Sequence, residues 1–358
     1  MAERYRCNKQ TRWHWRPVLV GCSLTVHALG YNAAMSEFEL IARFFKRTGR
    51  TLPPQVLLGI GDDCALIAPA QMSQAISSDM LIEGRHFFAD VDPRSLGHKA
   101  LAVNLSDLAA MGAQPQGFTL ALALPDSDPT WLDAFAAGLF ALADQHQCAL
   151  IGGDTTRGPR NICITVFGQV DPQRALRRGA ARAGDDVWVS GTLGDARLAL
   201  AWRRNELDVT NHQTEAYAQA VQRMDWPEPR VALGSALIGI AHAAIDVSDG
   251  LVGDLRHLLH ASALGATIDV DRLPAGLALA GQPQAIRRAF CLNGGDDYEL
   301  CFTAPPGRCD AVLRAGAASS TALTRIGSVT AATGIVLRDE YGAPLDLPLA
   351  SFDHFSPP

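Results

Sequence analysis

The chain has 358 residues, of which 48% are hydrophobic and 19% are charged, and its formal net charge is -6. This length can bury two domain cores, and the composition is that of an ordinary globular protein. The first 34 residues hold five basic side chains against one acidic, so the remainder, at -10, is more acidic than the whole. Such a chain lacks the basic face that nucleic-acid binding needs, but it can bind phosphate ligands through metal ions.

The cysteine pattern indicates a reducing compartment. The eight cysteines form no C-x-x-C pair and no zinc-binding pattern with histidine, so we expect free, mostly buried thiols and a cytoplasmic protein. Leu19 to Cys22 fits a lipoprotein signal, but the apolar run before this cysteine has only three residues. No stretch reaches the roughly 18 apolar residues of a spanning helix, so we expect no membrane partner.

The domain organisation is inferred from composition and from a second possible start of translation. Met35 opens a helical pattern, and we interpret residues 1–34 as an extension that is disordered or the product of a mis-called start codon. A polar turn near 170–185 separates two halves. We therefore predict an N-terminal domain over 35–175 and a C-terminal domain over 176–358.

The apolar spacing of the N-terminal domain predicts a mixture of helices and strands. The predicted helices cover 36–47, 92–112 and 129–146. The predicted strands cover 56–60, 64–68, 74–78, 117–124 and 161–169. Strands in sequence-adjacent pairs indicate an α+β domain and not a series of βαβ units.

The C-terminal domain is predicted to alternate helices with short strands, and its last fifty residues to hold one helix and two or three weak strands. Other predicted helices cover 194–205, 213–224, 229–243 and 248–263. Other predicted strands cover 187–190, 244–247, 266–270 and 298–302. The segment 271–297 is rich in glycine and proline, and we predict loops there.

Five short acidic segments recur along the chain. They are GIGDD at 59–63, SSD at 77–79, NLSD at 104–107, GGDTT at 152–156 and DVSDG at 246–250. We interpret them as acidic turns, whose carboxylates repel one another by several kcal/mol when they are gathered together. A divalent metal is the expected neutraliser, because one or two carboxylates can bind Mg²⁺ together with phosphate oxygens and water.

Each acidic segment also has a purely structural interpretation. GIGDD alone is a common solvated turn, and Ser248 or Asp249 of DVSDG would serve as the N-cap of a helix. The glycines of GGDTT suit either a close approach of backbone N–H groups to phosphate or a tight turn. Five such segments in one chain favour a metal-bridged polyphosphate site.

Two common phosphate-binding motifs are missing from the sequence. Neither G-x-x-x-x-G-K-[ST] nor the kinase glycine loop with its lysine occurs. Few basic residues lie near the acidic segments, namely Arg85, Arg157, Arg177 and Arg178. We therefore expect metal ions to carry most of the phosphate neutralisation.

Seven segments occur in a fixed order along the chain. They are GIGDDCAL, SSDMLIEGRHF, KALAVNLSDLAAMGA, IGGDTTRGP, IDVSDGL, GGDDYELCF and FDHF. In combination they resemble the thiamine-monophosphate kinase family over about residues 36–356. The resemblance implies a two-domain aminoimidazole ribonucleotide synthetase-like α+β fold, with an N-terminal dimerising α/β domain, a C-terminal α+β domain and a homodimer. It also implies transfer of the γ-phosphoryl group of ATP to thiamine monophosphate, which gives thiamine diphosphate, with several Mg²⁺ ions.

The resemblance further implies roles for particular residues. The implied Mg²⁺ ligands are Asp63, Ser77, Ser78, Asp79, Asp107, Asp154, Asp246 and Asp249. The implied ATP contacts are Gly153, Asp154, Arg178 and Ser248. The implied thiamine-phosphate contacts are His86, Asp296 and Phe352. Catalysis is implied to be metal-assisted, with Asp107, Asp154 and Asp249 holding the ions and Arg178 adding fixed positive charge.

Three positions depart from the family pattern. Ser78 stands where threonine is usual, which keeps a hydroxyl or carbonyl ligand. Asp296 stands where glutamate is common and reaches one methylene less far, so we expect Asp297 or water to share its role. Phe352 stands where an aromatic residue with a hydroxyl can occur, so ring stacking is kept and a hydrogen bond is not.

The implied reaction is a direct in-line phosphoryl transfer. The acceptor monophosphate is largely ionised near pH 7 and is itself the nucleophile, so no protein base and no covalent intermediate are required. Two alternatives stay open. The residues on the acceptor side distinguish the first alternative from phosphorylation of thiamine monophosphate. One is another ATP-using activity of the superfamily, such as selenophosphate or aminoimidazole ribonucleotide synthesis. The other is a non-catalytic module that binds a nucleotide or a thiamine phosphate.

Without the resemblance, two of the implied contacts have ordinary structural interpretations. His86 follows an apolar stretch and precedes Phe87-Phe88, a setting typical of a partly buried packing residue. Arg178 stands beside Arg177, a setting typical of a pair of surface cations. The resemblance favours a ligand contact for both.

Overall fold

A computed structural model describes residues 40–46, 53–54, 56–58, 66–67, 72–207 and 215–349. These residues belong to one compact unit that spans Met35–Pro358. The extension 1–34, the GIGDD segment and Phe352 lie outside the described residues. The predicted first helix is represented by a π-helical turn at Ile41–Phe45.

The described chain contains both helices and strands. The helices are α1 (Pro93–Ala110), α2 (Pro129–Gln145), α3 (Asp195–Arg203), α4 (Glu215–Asp225), α5 (Val231–Leu237), α6 (Leu251–Ala261), α7 (Leu277–Ala280), α8 (Gln284–Asn293) and α9 (Cys309–Ala318). The strands are β1 (Val56–Leu58), β2 (Leu66–Ile67), β3 (Ser73–Ile82), β4 (Gln114–Leu124), β5 (Ala149–Arg157), β6 (Asn161–Val170), β7 (Asp186–Ser190), β8 (Ala243–Val247), β9 (Gly265–Asp269), β10 (Glu299–Ala304), β11 (Leu323–Thr330), β12 (Gly334–Arg338) and β13 (Pro344–Leu345).

The N-terminal half is built on a four-stranded sheet with the order β3-β6-β4-β5. β6 is antiparallel to β3 and β4, whereas β4 and β5 are parallel and are connected through α2. Because side chains alternate along a strand, Ser77 and Asp79 face one side of the sheet and Ser78 faces the other. α1 packs on β3, β4 and β6, on the side that Asp79 faces.

The two long helices of this half begin at Asp-Pro pairs. The side chain of Asp92 accepts a hydrogen bond from the N–H of Arg94 at 3.1 Å, and that of Asp128 accepts one from Thr130 at 2.9 Å. A proline follows each aspartate at the first helical position, where no backbone N–H is needed. These pairs fix where α1 and α2 start, as the sequence predicts.

The C-terminal half is built on a seven-stranded sheet with the order β13-β12-β9-β11-β7-β10-β8. Neighbouring strands are antiparallel except for β12 and β9, which are parallel. Trp188 on β7 and Phe302 on β10 are directly opposite, and their rings stack with centroids 6.4 Å apart. This pair is part of the same apolar core as Leu105 and Leu108 of α1.

α1 contacts both sheets, and its burial reflects this position. It packs against β3 and β6 of the first sheet and against β8 and β10 of the second. Its buried residues are apolar except for a few, which include Lys99, Asn104 and Ser106. Polar groups buried on such a helix need partners, and all three of these residues bond to residues of the candidate site.

Three acidic segments are not turns, which corrects their interpretation as acidic turns, although the helix predicted over 92–112 already included NLSD. SSD lies within β3, NLSD lies within α1 and GGDTT lies within β5. SSD and GGDTT pair with strands that are distant in sequence, β6 and β4, and these ladders continue through the acidic residues. Among the described acidic segments, DVSDG alone contains a turn, between β8 and α6.

Two further predictions in the C-terminal half are wrong. α5 ends at Leu237, earlier than predicted, because the chain turns at Gly239 with a φ of 79° before it enters β8. The segment predicted as loops, 271–297, contains α7 and α8. Pro283 precedes α8, and Phe290 packs against the C-terminal core, so the glycine and proline residues mark the ends of helices.

The thiol prediction is confirmed for the cysteines that the structure describes. Cys148, Cys163, Cys291, Cys301 and Cys309 are free. Burial raises the pKa of Cys148, Cys291 and Cys301, which keeps these thiols neutral. Over the described ranges, no helix has the length and apolar character that crossing a membrane requires.

Candidate functional site

A cavity of about 510 Å³ opens between the N-terminal and C-terminal elements. Its wall includes residues of β3, α1 and α3, of the turn between β8 and α6, and of the loop before β10. Seven predicted site residues line it, namely Asp79, His86, Asp107, Asp246, Ser248, Asp249 and Asp296. The structure therefore brings together side chains that are far apart in the sequence.

Hydrogen bonds between β3 and α1 position the first two carboxylates. The hydroxyl of Ser77 donates to the carboxylate of Asp107, and the backbone N–H of Asp79 donates to the side-chain oxygen of Asn104 at 3.1 Å. Asn104 and Asp107 are three residues apart on α1, so both face the same strand. The NLSD spacing thus docks the helix on β3 and directs Asp107 towards Asp79.

Asp246 adds a third carboxylate from the C-terminal sheet. It lies on β8, is 5% exposed, and accepts a hydrogen bond from the hydroxyl of Ser106 at 2.8 Å. Ser106 precedes Asp107 on α1, so one helix contacts both carboxylate-bearing strands. A buried carboxylate with so few donors is costly in its charged form.

The DVSDG turn is organised by a residue that sequence reasoning missed. Asp254, in the first turn of α6, accepts hydrogen bonds from the N–H groups of Ser248 at 3.0 Å and Asp249 at 3.1 Å. The N-cap of α6 is Gly250, which makes no side-chain cap. The capping interpretation of Ser248 and Asp249 is therefore wrong, and both residues line the cavity instead.

The clustered carboxylates raise one another's pKa. Burial raises the pKa of Asp79 to about 6, and the charges of Asp107 and Asp249 contribute. Burial, followed by the charge of Asp107, raises the pKa of Asp246 to about 8. Near pH 7 the cluster therefore holds protons that a cation can displace.

Neighbouring groups also shift the pKa values of these carboxylates, some upward and some downward. Burial raises the pKa of Asp107, while the hydrogen bond from Ser77 and the charge of Arg178 oppose the rise. Burial, followed by the charge of Asp249, raises the pKa of Asp254 to about 7. Arg178 lies in an exposed 3-10 turn, and its positive charge reaches the cluster although it does not line the cavity.

The donor set suits Mg²⁺ that arrives with a phosphate ligand. In the part of the chain that the structure describes, no three His, Cys, Asp or Glu side chains form a complete metal cage. Mg²⁺ does not require one, because it is commonly held by one or two carboxylates with phosphate oxygens and water. Asp79, Asp107 and Asp246 supply these carboxylates, and burial is the largest cause of their raised pKa values. Asp63, which the resemblance adds, lies outside the described residues.

His86 lies in the cavity wall just after β3. Its Nδ1 accepts a hydrogen bond from the N–H of Ile82 at 3.0 Å, so the neutral ring carries its proton on Nε2. The backbone N–H of His86 also donates to the carbonyl oxygen of Ile82 at 2.9 Å. The ring orientation is therefore set by the end of the strand.

Asp296 lies opposite, in the loop before β10. Its carboxylate forms an ion pair with Lys99 at 2.6 Å and accepts a hydrogen bond from the hydroxyl of Tyr298 at 3.0 Å. Asp297 is 3% exposed, and its carboxylate accepts a hydrogen bond from the N–H of Gly194 at 2.9 Å. Because it points into the protein, Asp297 cannot share the role of Asp296.

Ser78 and Asp154 lie on the outer face of the four-stranded sheet, away from the cavity. The hydroxyl of Ser78 donates to the carbonyl oxygen of Ile164 at 3.1 Å, and Asp154 is exposed beside Ala121 of β4. A Cβ at Gly153 would lie 1.9 Å from the carbonyl oxygen of Leu120, so strand packing itself requires a glycine there. Within one chain, these residues are not brought to the carboxylate cluster.

Sequence reasoning missed the cationic side of the cavity. Lys99 of α1 and Arg197 and Arg203 of α3 line it. The guanidinium of Arg203 lies over the ring of Phe88 at 4.3 Å and pairs with Asp90 at 2.5 Å. Lys99 is five residues before NLSD, whereas Arg197 and Arg203 are far from the acidic segments in sequence, so the predicted scarcity of basic groups is wrong. Lys99 had a detectable signal, since it is a charge within a largely apolar helix.

Comparisons with protein families agree with this fold and site. The family described as AIR synthase related protein, N-terminal domain, matches residues 61–170, and its C-terminal domain counterpart matches residues 182–340. The two-domain α+β fold expected from the sequence is confirmed, and the chain is a member of the AIR synthase related proteins.

Individual relatives identify the family to which the chain belongs among the AIR synthase related proteins. The thiamine-monophosphate kinase of Salmonella typhimurium is 46% identical over 331 residues, which cover 91% of this chain and 100% of that protein. The crystal structure of thiamine-monophosphate kinase from Stenotrophomonas maltophilia is 48% identical, has a TM-score of 0.75, and covers 79% of this chain and 91% of that one. AaThiL complexed with AMPPCP and TMP is 29% identical, with a TM-score of 0.70 over 83% of this chain and 92% of that one. The chain belongs to the thiamine-monophosphate kinase family.

The carboxylate cluster makes the metal-free protein sensitive to pH. The folded-state pKa of Asp246, about 8, lies above the ordinary value of 3.8, so the folded state retains a proton that the unfolded state loses. Stability therefore falls as the pH rises between these two values. We expect Asp246→Asn to weaken this fall, so that between about pH 5 and about pH 9 the variant gains at least about 1 kcal/mol on the wild type. Urea unfolding in EDTA measures the difference.

Asp310→Asn is the control, because this exposed carboxylate lies outside the cavity and its substitution should leave the pH dependence unchanged. An Asp246→Asn variant whose stability falls with pH as steeply as that of the wild type would show that Asp246 does not hold the proton.

Proposed function

We propose that this chain transfers the γ-phosphoryl group of ATP to thiamine monophosphate, giving thiamine diphosphate, with Mg²⁺. The observation that carries the proposal is the convergence of Asp79, Asp107 and Asp246 from three different elements on one cavity wall. The relatives named thiamine-monophosphate kinase, and AaThiL with AMPPCP and TMP, support the choice of nucleotide and acceptor.

The transfer is direct and in line. The acceptor phosphate is largely ionised near pH 7, so no side chain has to remove a proton from it. When bound, Mg²⁺ would supply positive charge that offsets the negative charge of the phosphate groups. Asp79, Asp107, Asp246 and Asp249 hold this charge at the cavity wall, and Asp254 fixes the turn that carries Asp249.

The two substrates occupy different sides of the cluster. Ser248 and Arg178 contact ATP, and the charge of Arg178 already reaches Asp107. His86, with a donor at Nε2, and Asp296, with carboxylate acceptors, contact thiamine monophosphate. Positioning and charge neutralisation are most of what phosphoryl transfer requires.

We also propose that the chain forms a homodimer through the outer face of the four-stranded sheet. Ile76, Met80 and Ile82 alternate along β3 and are 60%, 49% and 39% exposed. An exposed apolar strip of this kind, interrupted only by Ser78, is typical of an interaction surface. Ser78 and Asp154 are on the same face, so dimer formation would place them at the interface. Their implied roles in metal and nucleotide binding would then depend on the partner subunit.

Two further expectations remain proposals. We place the division between the domains at 175 and 176, which is supported by family matches that end at 170 and resume at 182. We place the protein in the cytoplasm, which is supported by the free thiols of the five described cysteines.

Kinase activity and its dependence on Asp107 provide the main test. We expect the wild type to convert thiamine monophosphate to thiamine diphosphate with ATP and Mg²⁺, as measured by chromatography of the products. Asp107→Asn should lower kcat by about a hundredfold or more, because an amide replaces a carboxylate that holds the cation.

Asp310→Asn is the matched control, and it should keep wild-type kinetics because this exposed residue lies outside the cavity. Near-normal turnover in Asp107→Asn at saturating Mg²⁺ would contradict the assignment. A wild type that binds ATP but makes no thiamine diphosphate would favour another superfamily acceptor or a binding module.

The dimer is tested by placing a charge on the sheet face. We expect Ile76→Lys to convert a dimer into a monomer in sedimentation velocity, because the lysine would be buried unpaired at the interface. Leu313→Lys is the matched control, since Leu313 is 48% exposed but lies on α9. A monomeric wild type, or a dimer that survives Ile76→Lys unchanged, would contradict this interface.

A further inference from the structure

Lys99 is a buried lysine in the wall of the cavity. It lies on α1 and is 6% exposed. Its ammonium group donates hydrogen bonds to Oδ2 of Asp296 at 2.6 Å and to the carbonyl oxygen of Met224 at 2.9 Å. A buried ammonium is tolerated where acceptors replace its lost hydration. Protein acceptors therefore take two of its three donors and leave at most one for a ligand.

The carboxylate of Asp296 is held through both oxygens. Lys99 binds Oδ2, and the hydroxyl of Tyr298 donates to Oδ1 at 3.0 Å. The backbone N–H of Asp296 donates to the carbonyl oxygen of Ser248 at 2.8 Å. Asp296 and Tyr298 have φ angles of 70° and 50°, a region that is uncommon for residues other than glycine. The loop therefore holds Asp296 in one specific orientation.

The same carboxylate remains accessible from the cavity. The side chain of Asp296 is 36% exposed, and the residue lines the cavity, whereas the side chain of Lys99 is only 7% exposed. A ligand can therefore reach Asp296 more readily than Lys99. This arrangement suits a lysine that orients a carboxylate and does not itself bind the ligand.

The charges at this end of the cavity differ from those of the carboxylate cluster. Burial raises the pKa of Asp225, and the positive charges of Lys99 and Arg203 oppose the rise. Asp296 and Asp225 thus lie near fixed cations of the protein, whereas Asp79 and Asp246 are surrounded by other carboxylates. At the Asp296 end of the cavity, cations of the protein balance the carboxylates. At the end with Asp79 and Asp246, an added cation is needed to balance them.

We propose that Lys99 is a positioning residue that sets the affinity for the acceptor, by holding the Asp296 carboxylate where it meets the end of the acceptor opposite its phosphate. The identity of the acceptor rests on the proposed function. Thiamine monophosphate has a phosphate at one end, an aminopyrimidine with N–H donors at the other and a cationic thiazolium between them. The oxygens of the Asp296 carboxylate can accept hydrogen bonds from the N–H donors of the aminopyrimidine.

A fixed Asp296 therefore orients the acceptor with its phosphate towards the carboxylate cluster and its bound cations. The aspartate side chain is one methylene shorter than that of glutamate, so its carboxylate cannot move far to meet a misplaced ligand. The position at which Lys99 holds this carboxylate therefore has a larger effect on acceptor binding. Removing the anchor should weaken acceptor binding and leave the ATP side unchanged.

Steady-state kinetics of Lys99→Met test this inference. We expect the KM for thiamine monophosphate to rise by about tenfold or more and the KM for ATP to change by less than about twofold. Lys99→Arg restores the cation and should bring the KM for the acceptor back towards the wild-type value. Arg288→Met is the control, since it removes a comparably buried ion pair, with Asp271 at 2.6 Å, outside the cavity. It should leave both KM values unchanged.

Tyr298→Phe is a milder second variant, for use if Lys99→Met does not fold. It removes the hydrogen bond to the other oxygen and should raise the KM for thiamine monophosphate severalfold, again without effect on ATP. Equal changes in both KM values, or an unchanged acceptor KM in both folded variants, would overturn the inference. A wild type that makes no thiamine diphosphate would instead overturn the proposed function.

Discussion

The mutual repulsion of buried carboxylates is the constraint on which the site depends. Asp79, Asp107 and Asp246 come from β3, α1 and β8, and neutral hydrogen-bond donors of the protein contact two of them. These donors fix the carboxylates but do not cancel their charge, so burial and proximity raise their pKa values. The fold therefore favours either protons or a cation at this wall, and in the proposed function Mg²⁺ that arrives with the nucleotide would supply the cation.

α1 determines the character of both ends of the cavity. Lys99 and Asp107 are eight residues apart on this helix, which is about two turns. Lys99 is paired with Asp296 of the C-terminal half, whereas Asp107 shares its surroundings with other carboxylates. A single helix packed on both sheets thus fixes the separation between the Lys99–Asp296 ion pair and the carboxylate cluster. That fixed separation is what a reaction controlled by positioning requires.

The sequence predicted those elements whose signals are local. Apolar periodicity located α1 and α2, and alternation located β6, because each depends on residues within the segment itself. SSD and GGDTT were interpreted wrongly because glycine and acidic residues favour turns locally, while strand partners elsewhere in the chain decide their conformation.

Part of the candidate site was also predictable from the sequence. The acidic motifs selected Asp79, Asp107 and Asp246, which line the cavity. They could not select Lys99, whose partner Asp296 is 197 positions away, or Asp254, whose contribution is two backbone hydrogen bonds. Such residues act through tertiary contacts, and only the folded structure brings these contacts together.

Proton release on nucleotide binding tests most directly whether a cation relieves the carboxylate cluster. With a pKa of about 8 for Asp246 and about 6 for Asp79, the metal-free site holds protons near pH 7 that Mg²⁺ must displace. Calorimetry of Mg²⁺ and AMPPCP binding, in buffers of different ionisation enthalpy, counts these protons. We expect about one proton to be released per site at about pH 7, and fewer in Asp246→Asn. Tight Mg²⁺-dependent binding without proton release would contradict a metal-relieved carboxylate cluster.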